Sequence, residues 1–217
     1  VLEMAFEERL VEANRAFWRR YWGPSSDQPP ARYVLVEASD TPIIRLCNAS
    51  FGAIVCHARQ VRPIYLLHGL RDRSTRRVLA SYHSNALFIY TTSPRYLLAR
   101  VWSLFLALGV WLTLRAPHDI LAFRIDGIKF GDIIYDNTLV RGYATLAKVD
   151  IKVLAVLREF FMHRHIVNDI IRRYRLDSFV VAHTIGMFGG TFSRYLLKQG
   201  IEVINRVGSH EIVVKKY

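Results

Sequence analysis

The sequence predicts an α/β protein with an open, mostly parallel, Rossmann-like sheet and helices on both of its faces. Short apolar, β-branched runs alternate with longer helical patterns, which is the pattern of βαβ units. Two such units can be recognised, and right-handed crossovers between parallel strands leave few other topologies. Hydrophobic residues make up 52% of the 217 residues, which is enough for a substantial core and excludes a disordered chain.

The first half of the chain is predicted to hold three strands. A run rich in Pro, Ser and Asp separates a leading helix from everything that follows. Pro42 suits the first position of a helix, with Asp40 or Thr41 as its cap. The predicted segments are a leading helix (1–22), a linker (23–30), and then one Rossmann-like region (31–217) that begins with a strand (33–37), a helix (42–59), a strand (62–67), a basic stretch leading into a helix (71–77) and a strand (86–90).

The second half opens with an apolar helix introduced by Ser93 and Pro94 and ending near Leu114. A long helix follows, in which apolar residues recur at spacings of three and four. The remaining predicted segments are that helix (151–174), a strand (178–182), a glycine-bearing turn (183–190), a helix (191–199), a strand (201–205) and a final strand-like run (211–214). Because the chain starts at Val1 and stops directly after this run, we expect a fragment of a longer protein.

The charge balance predicts an anionic partner. Lys and Arg number 30 against 18 Asp and Glu, which gives a net charge of +12 and a pI near 10.0. A phosphorylated ligand, an acidic glycan, an anionic lipid or a nucleic acid would each fit. Nucleic acid is the least favoured, because no motif that reads RNA or DNA accompanies the charge.

The two cysteines predict a reducing, cytoplasmic setting. Cys47 and Cys56 fall in one predicted helix, where nine residues separate their Cα atoms by roughly 13 Å, too far for a disulfide. The uncharged run 101–114 is too short to span a bilayer, which takes about 20 residues. We expect this run to be buried in the core, with insertion into a membrane surface as the alternative.

Polar residues close three of the apolar runs, at the strand ends where open parallel sheets bind their ligands. These predicted ligand-binding residues are Asp40, His68, Gly69 and Thr184, with His183 as a catalytic candidate. Helix capping explains Asp40 equally well, and a histidine at a strand end is often only a hydrogen-bonded structural residue. Their predicted position on a shared rim is what favours a site.

The segment HTIGMFGGTFSR (183–194) places Gly186, Gly189 and Gly190 between a strand and a helix. Backbone N–H groups and a helix dipole in such a turn can face an anion. The spacing is neither that of a dinucleotide-binding loop nor that of a P-loop, so the segment does not favour binding of NAD or ATP. The structural alternative is that these glycines only permit a tight turn and close helix packing.

The stretch IDGIKFGDIIYD (125–136) is the densest group of acidic residues. Asp132 precedes a helix-like run, so capping is its default role. Asp132 and Asp136 would share one helical face, with Lys129 or Arg141 to compensate their repulsion. Such paired carboxylates can raise one pKa and so supply a general base.

Other chemistries find little support in the sequence. His163 and His165 are two apart on a helix and point to different faces, and no carboxylate or cysteine cluster completes a zinc site. There is no nucleophile elbow. We therefore expect neither a metal nor a bound cofactor.

The series IDGIKFGDIIYDNTLVR (125–141), followed by a long helix and FVVAHTIGMFGGTFSRYLLKQGIEVINRVG (179–208), resembles bacterial capsule and lipopolysaccharide glycosyltransferases of the two-lobed GT-B type. The resemblance implies a transferase that uses a nucleotide sugar to extend a surface glycan, usually at the inner face of the plasma membrane. In that family the C-terminal lobe binds most of the donor. The present chain would then be the N-terminal lobe, which holds a glycan or lipid-linked glycan acceptor.

By position in these motifs, the resemblance implies a set of site residues. Asp126, Asp132 and Asp136 become candidates for acceptor binding or base catalysis, and His183 and the glycine segment would lie against the acceptor or the donor phosphates, with Arg194 as charge support. Together with the candidates above, the predicted catalytic residues are Asp126, Asp132, Asp136 and His183, and the predicted ligand-binding residues of these segments are Lys129, Tyr135, Arg141, Thr184, Gly186, Gly189, Gly190 and Arg194. The alternative function is a non-catalytic, basic protein that binds a membrane surface or an anionic polymer through its charge and its apolar helix.

Overall fold

The structure of the chain is a computed structural model that describes residues 2–21, 32–38, 41–68, 72–142, 145–207 and 211–215. The helices are α1 (Leu2–Trp18), α2 (Pro42–Arg59), α3 (Arg73–Tyr82), α4 (Leu97–Thr113), α5 (Pro117–Ala122), α6 (Gly131–Leu139), α7 (Ile151–Arg173) and α8 (Met187–Lys198). The strands are β1 (Tyr33–Ala38), β2 (Arg62–Leu67), β3 (Leu87–Tyr90), β4 (Arg124–Ile125), β5 (Ile128–Lys129), β6 (Leu176–Val181), β7 (Glu202–Val207) and β8 (Glu211–Lys215). Asp40, Gly69 and the linker predicted at 23–30 lie outside the described residues.

The main sheet confirms the predicted class. Its strand order is β3-β2-β1-β6-β7-β8, in which the first five strands are parallel and β8 pairs antiparallel with β7. Val36 of β1 pairs with Tyr65 of β2 on one side and with Val180 of β6 on the other. Strand order reverses between β1 and β6, and sheets of this kind bind ligands at such a switch point.

The described residues form two compact units, each assembled from separate stretches of chain. The first contains residues 2–93, 174–182 and 201–215, and the second contains residues 94–173 and 183–200. The first unit therefore holds the whole main sheet with α1, α2 and α3. The second holds α4 to α8 and the β4–β5 hairpin.

The core of the first unit forms where α1, α2 and α3 cover one face of the sheet. Val11 and Trp18 of α1 are buried in this core, beside Val34 and Val36 of β1. Gly52 of α2 allows close packing, because a Cβ there would lie 2.6 Å from Val36 Cγ2. Cys47 and Cys56 are both in α2 as free thiols, as predicted, and burial raises the pKa of Cys56.

The core of the second unit is built around α7. Val153, Val156, Leu157 and Phe160 line its buried side. Phe160 packs on Phe130 with ring centroids 4.8 Å apart, and the ring of Phe130 stacks on Tyr195 of α8 at 5.2 Å. These aromatic contacts join α6, α7 and α8 into one packed group.

Three predicted features differ from the structure. Helix α8 begins at Met187 rather than near residue 191, so Gly189 and Gly190 lie in its first turn and not in a loop. The hairpin β4–β5 and the short helix α5 were not predicted. The predicted core helix at 101–114 is instead mostly exposed: Leu98 is 82% and Trp102 is 61% accessible.

Candidate functional site

The acidic stretch begins with a two-residue hairpin turn. Asp126 and Gly127 connect β4 to β5, with φ angles of 55° and 75°. Two consecutive positive φ values define the type I′ turn that Asp-Gly favours, and this dipeptide between Ile125 and Ile128 is the signal that predicts it. Asp126 therefore has a conformational role whatever else it does.

The Asp126 carboxylate is held by two helices. Arg164 Nε of α7 donates to Asp126 Oδ2 at 2.9 Å, and Tyr195 OH of α8 donates to the same oxygen at 2.7 Å. Lys198 Nζ donates to the backbone carbonyl of Asp126. The hairpin is thereby fixed against α7 and α8.

Asp132 and Arg194 join the two segments that the sequence singles out. Arg194 Nη1 donates to Asp132 Oδ1 at 2.8 Å and Arg194 Nη2 donates to Oδ2 at 2.6 Å, which is a bidentate pair. The Arg194 guanidinium also donates to the carbonyl of Lys129 and lies 5.8 Å from the ring centroid of Phe130. The acidic stretch and the glycine segment therefore meet.

Neither Asp126 nor Asp132 has the raised pKa that a general base needs. The hydrogen bond from Arg164 lowers the pKa of Asp126, and the hydrogen bonds from Arg194 lower the pKa of Asp132. A carboxylate held in its ionised form by arginine is a weak proton acceptor. Both groups are therefore better suited to positioning neighbouring elements than to general base catalysis.

The glycine segment packs closely against α6. A Cβ at Gly190 would lie 2.6 Å from Ile133 Cδ1 and 2.9 Å from the carbonyl oxygen of Thr184. Gly186 is the N-cap of α8 and has no side chain to cap it, and the next N–H, that of Met187, donates to Asn137 Oδ1 at 3.3 Å. Close packing thus accounts for Gly190, and the Asn137 side chain takes up one of the N–H groups predicted to face an anion.

The remaining predicted residues of the second unit differ in their surroundings. Asp136, Lys129 and His183 are exposed, whereas Tyr135 and Thr184 are partly buried. Arg141 pairs with Glu159 of α7 instead of compensating Asp132 and Asp136. Asp136 has no ion-pair partner among the described residues, which leaves its carboxylate accessible to a ligand.

A polar cluster at the end of β1 was missed by sequence reasoning. Glu37 Oε2 accepts the N–H of Ala182, which follows β6, at 2.8 Å, and Asn48 Nδ2 donates to the carbonyl of Glu37 at 3.0 Å. Arg206 Nε donates to Asn48 Oδ1 at 3.3 Å. Burial raises the pKa of Glu37 despite these contacts.

This cluster lies at the switch point between β1 and β6, where a ligand is expected. A carboxylate with a raised pKa at such a point is a candidate functional group. Its sequence signal is a single acidic residue, Glu37, in an otherwise apolar strand. His68, which follows β2 and is partly buried, is the described member of the strand-end residues predicted in this unit.

Each unit has a cavity lined by described residues. The first has a volume of about 450 Å³ and an apolar, aromatic lining that includes Trp18, Tyr21 and Tyr82. It contains none of the predicted site residues. The second, of about 340 Å³, is lined by Arg100, Ser103, Arg141, Ala155, Arg158, Glu159 and Met162.

Within the described ranges, no group of three or more His, Cys, Asp or Glu side chains is placed to hold a metal ion. Comparisons of the chain with protein-family models, with curated proteins and with solved structures find no match. The function of the chain is therefore inferred from its residues and their geometry.

Proposed function

We propose that this chain is the acceptor-binding lobe of a glycosyltransferase that transfers a sugar from a nucleotide-sugar donor to a bacterial surface glycan. The observation that carries the proposal is the bidentate pair between Asp132 and Arg194. The pair joins the two segments on which the glycosyltransferase resemblance depends, 125–141 and 179–208. The Rossmann-like sheet is consistent with a GT-B lobe.

In the proposed reaction, a base on this lobe takes the proton of an acceptor hydroxyl as that oxygen attacks the anomeric carbon of the donor. The nucleoside diphosphate leaves with the bonding electron pair. Asp136 and His183 are the candidate bases, because both are exposed, whereas Asp126 and Asp132 are engaged by arginines. Asp126 and Asp132 are then positioning residues.

The two candidate bases belong to connected parts of the second unit. Asn137, next to Asp136 at the end of α6, accepts the N–H of Met187, four residues after His183. Lys129 is an exposed cation on the same hairpin that contacts Arg194. We assign it a role in binding the charged part of the acceptor or the leaving diphosphate.

A transfer assay on the full-length polypeptide tests the proposal. Radiolabelled UDP-, GDP- and dTDP-sugars are supplied with bacterial lipid-linked glycans, and incorporation into the lipid fraction is measured. We expect His183→Ala or Asp136→Asn to lower turnover by about 100-fold or more, the range of general base catalysis. Circular dichroism checks that each variant is folded.

Two exposed residues serve as matched controls. His118, whose side chain is 82% exposed, is replaced by Ala, and the exposed Glu12 of α1 is replaced by Gln. Both variants should retain wild-type turnover. Full activity of both His183→Ala and Asp136→Asn would refute the assignment of the base. If the wild-type protein neither transferred a sugar nor released a nucleotide with any donor, the transferase proposal itself would be refuted.

A further inference from the structure

Helix α4 exposes a continuous apolar face. Every large side chain that is exposed on this helix is apolar, and the most accessible are Leu98 at 82%, Leu112 at 69% and Trp102 at 61%. The full set is Leu97, Leu98, Val101, Trp102, Leu104, Phe105, Leu108 and Leu112. At 3.6 residues per turn these positions cover an arc of about 160°, so they form one surface.

The opposite side of α4 packs on the protein. Ala99, Ser103 and Ala107, spaced by four, are buried, and α4 packs against α7. Among the described residues, Pro94–Thr113 is the one segment long and apolar enough to cross a membrane. However, its buried side faces α7, which carries Arg158, Glu159 and Arg164. A spanning orientation would draw these charges into the hydrocarbon, at a high energetic cost.

A cationic cavity lies beside the apolar face. Arg100, the one charged residue of α4, lines this cavity of about 340 Å³ together with Arg141 and Arg158. Three arginines face one carboxylate there, that of Glu159, which pairs with Arg141. The cavity is therefore cationic, and guanidinium groups bind phosphate oxygens well.

We propose that α4 is a docking surface for a membrane that contains anionic phospholipid. The helix lies in the plane of the interface, its apolar face enters the acyl region, and the cavity of Arg100, Arg141 and Arg158 receives a lipid phosphate. Apolar side chains beside basic ones are the combination that interfacial helices use. The surface is independent of the transferase reaction and would operate whether or not the protein transfers a sugar.

Vesicle co-sedimentation of the 217-residue chain tests this surface. We expect binding to vesicles of phosphatidylcholine with phosphatidylglycerol, weaker binding at high salt, and little binding to phosphatidylcholine alone. Leu98→Ser with Phe105→Ser should weaken binding about 100-fold, because two apolar side chains no longer leave water. Arg100→Gln with Arg158→Gln should weaken binding about 30-fold.

Matched controls separate the surface from general charge and hydrophobicity. Ile54, 53% exposed on α2, is replaced by Ser, and the exposed Arg73 of α3 is replaced by Gln. Both variants should bind like wild type. Quenching of Trp102 by brominated acyl chains, lost in Trp102→Phe, should report shallow insertion.

Three results would overturn the proposal. The first is equal binding of the wild type and the Leu98→Ser/Phe105→Ser variant. The second is resistance of the bound protein to alkaline carbonate extraction, which would indicate a spanning helix, and the third is dimerisation in solution that the same variant abolishes. Because these readouts do not involve sugar transfer, their outcome is separate from that of the transferase assay.

Discussion

Arg194 holds both carboxylate oxygens of Asp132, at 2.8 and 2.6 Å, across 62 residues of sequence. The pair links the first turn of α6 to α8. Its members are partly exposed, 30% for the arginine and 43% for the aspartate side chain, so solvent screens much of the attraction. The pair is one of several contacts between the acidic stretch and the glycine segment, which also meet through Tyr195 and Asp126 and through Met187 and Asn137.

Loss of the pair between Asp132 and Arg194 should lower the free energy of unfolding by a modest amount that depends on pH. We expect Arg194→Ala to lower the free energy of unfolding by about 1 kcal/mol at neutral pH. Because the pKa of Asp132 is lowered in the folded protein, the stabilisation is present above its ordinary value of 3.8 and is lost as the pH falls through the lowered pKa. Urea denaturation from neutral to acidic pH measures the effect.

The matched control is Arg124→Ala, which removes an exposed arginine of β4 with no ion pair among the described residues. It should change stability by less than about 0.5 kcal/mol at any pH. An equal loss in both variants, or a loss in Arg194→Ala that does not shrink as the pH falls, would contradict the pairing of Arg194 with Asp132.

The hairpin turn should respond differently to changes at its two residues. Asp126→Asn retains a side chain that tolerates positive φ and loses the charge that pairs with Arg164, so we expect a loss of about 0.5 to 1 kcal/mol. Gly127→Ala places a Cβ at a φ of 75° and should cost about 1 to 2 kcal/mol. Thermal unfolding measures both, and a stabilising effect of Gly127→Ala would contradict the type I′ turn.

Replacement by alanine should have opposite effects on stability at two glycines. A Cβ at Gly131 would collide with the backbone carbonyls of Ile120 and Leu121, so Gly131→Ala should destabilise by about 1 to 3 kcal/mol. Gly109 lies in α4 with nothing within 4 Å of its Cβ position, so Gly109→Ala should stabilise by about 0.5 to 1 kcal/mol. Chemical denaturation compares the pair, and the same sign for both would refute the packing described.

Because Glu37 is buried, its contribution to the free energy of unfolding should decline as the pH rises. Its pKa is raised in the folded state, so the folded protein binds the proton more tightly than the unfolded chain, and stability is lost as the pH rises above the ordinary value of 4.5. Glu37→Gln removes the ionisable carboxyl group and with it this pH-dependent loss of stability. The variant should gain relative to wild type between about pH 4.5 and pH 7 in urea denaturation.

Replacement of the exposed Glu12 by Gln is the control for this experiment, and it should reproduce the wild-type pH profile. A constant difference between Glu37→Gln and wild type across the pH range would show that burial does not perturb Glu37. A difference of the opposite sign would mean that Arg206 and the N–H of Ala182 outweigh desolvation.

Local patterns in the sequence predicted most elements of the sheet. β1, β2 and β6 are largely apolar runs, and Pro42 marks the start of α2, so each could be recognised from its own residues. The start of α8 was misplaced by about one turn. Glycines usually indicate a turn, but Gly189 and Gly190 lie in the first turn of the helix, where Gly190 packs tightly against Ile133 of α6, a tertiary contact.

The chemical state of the candidate residues required the tertiary structure. Spacing placed Asp132 and Asp136 on one helical face, but it could not reveal that Arg194 would pair with Asp132 and lower its pKa. The same holds for Glu37, whose raised pKa comes from burial at the junction of β1 and β6. Proton affinity depends on groups that are distant in sequence and adjacent in space.

By itself, the sequence determined the α/β class, the placement of both cysteines in α2 and the two segments on which the functional proposal depends. Periodicity and turn chemistry are properties of neighbouring residues, so they can be read along the chain. Only the tertiary structure decided that α4 is exposed and not buried. The same apolar sequence pattern can form a helix in a core or at an interface. The two cases differ in whether another element covers the face opposite the one that packs on α7.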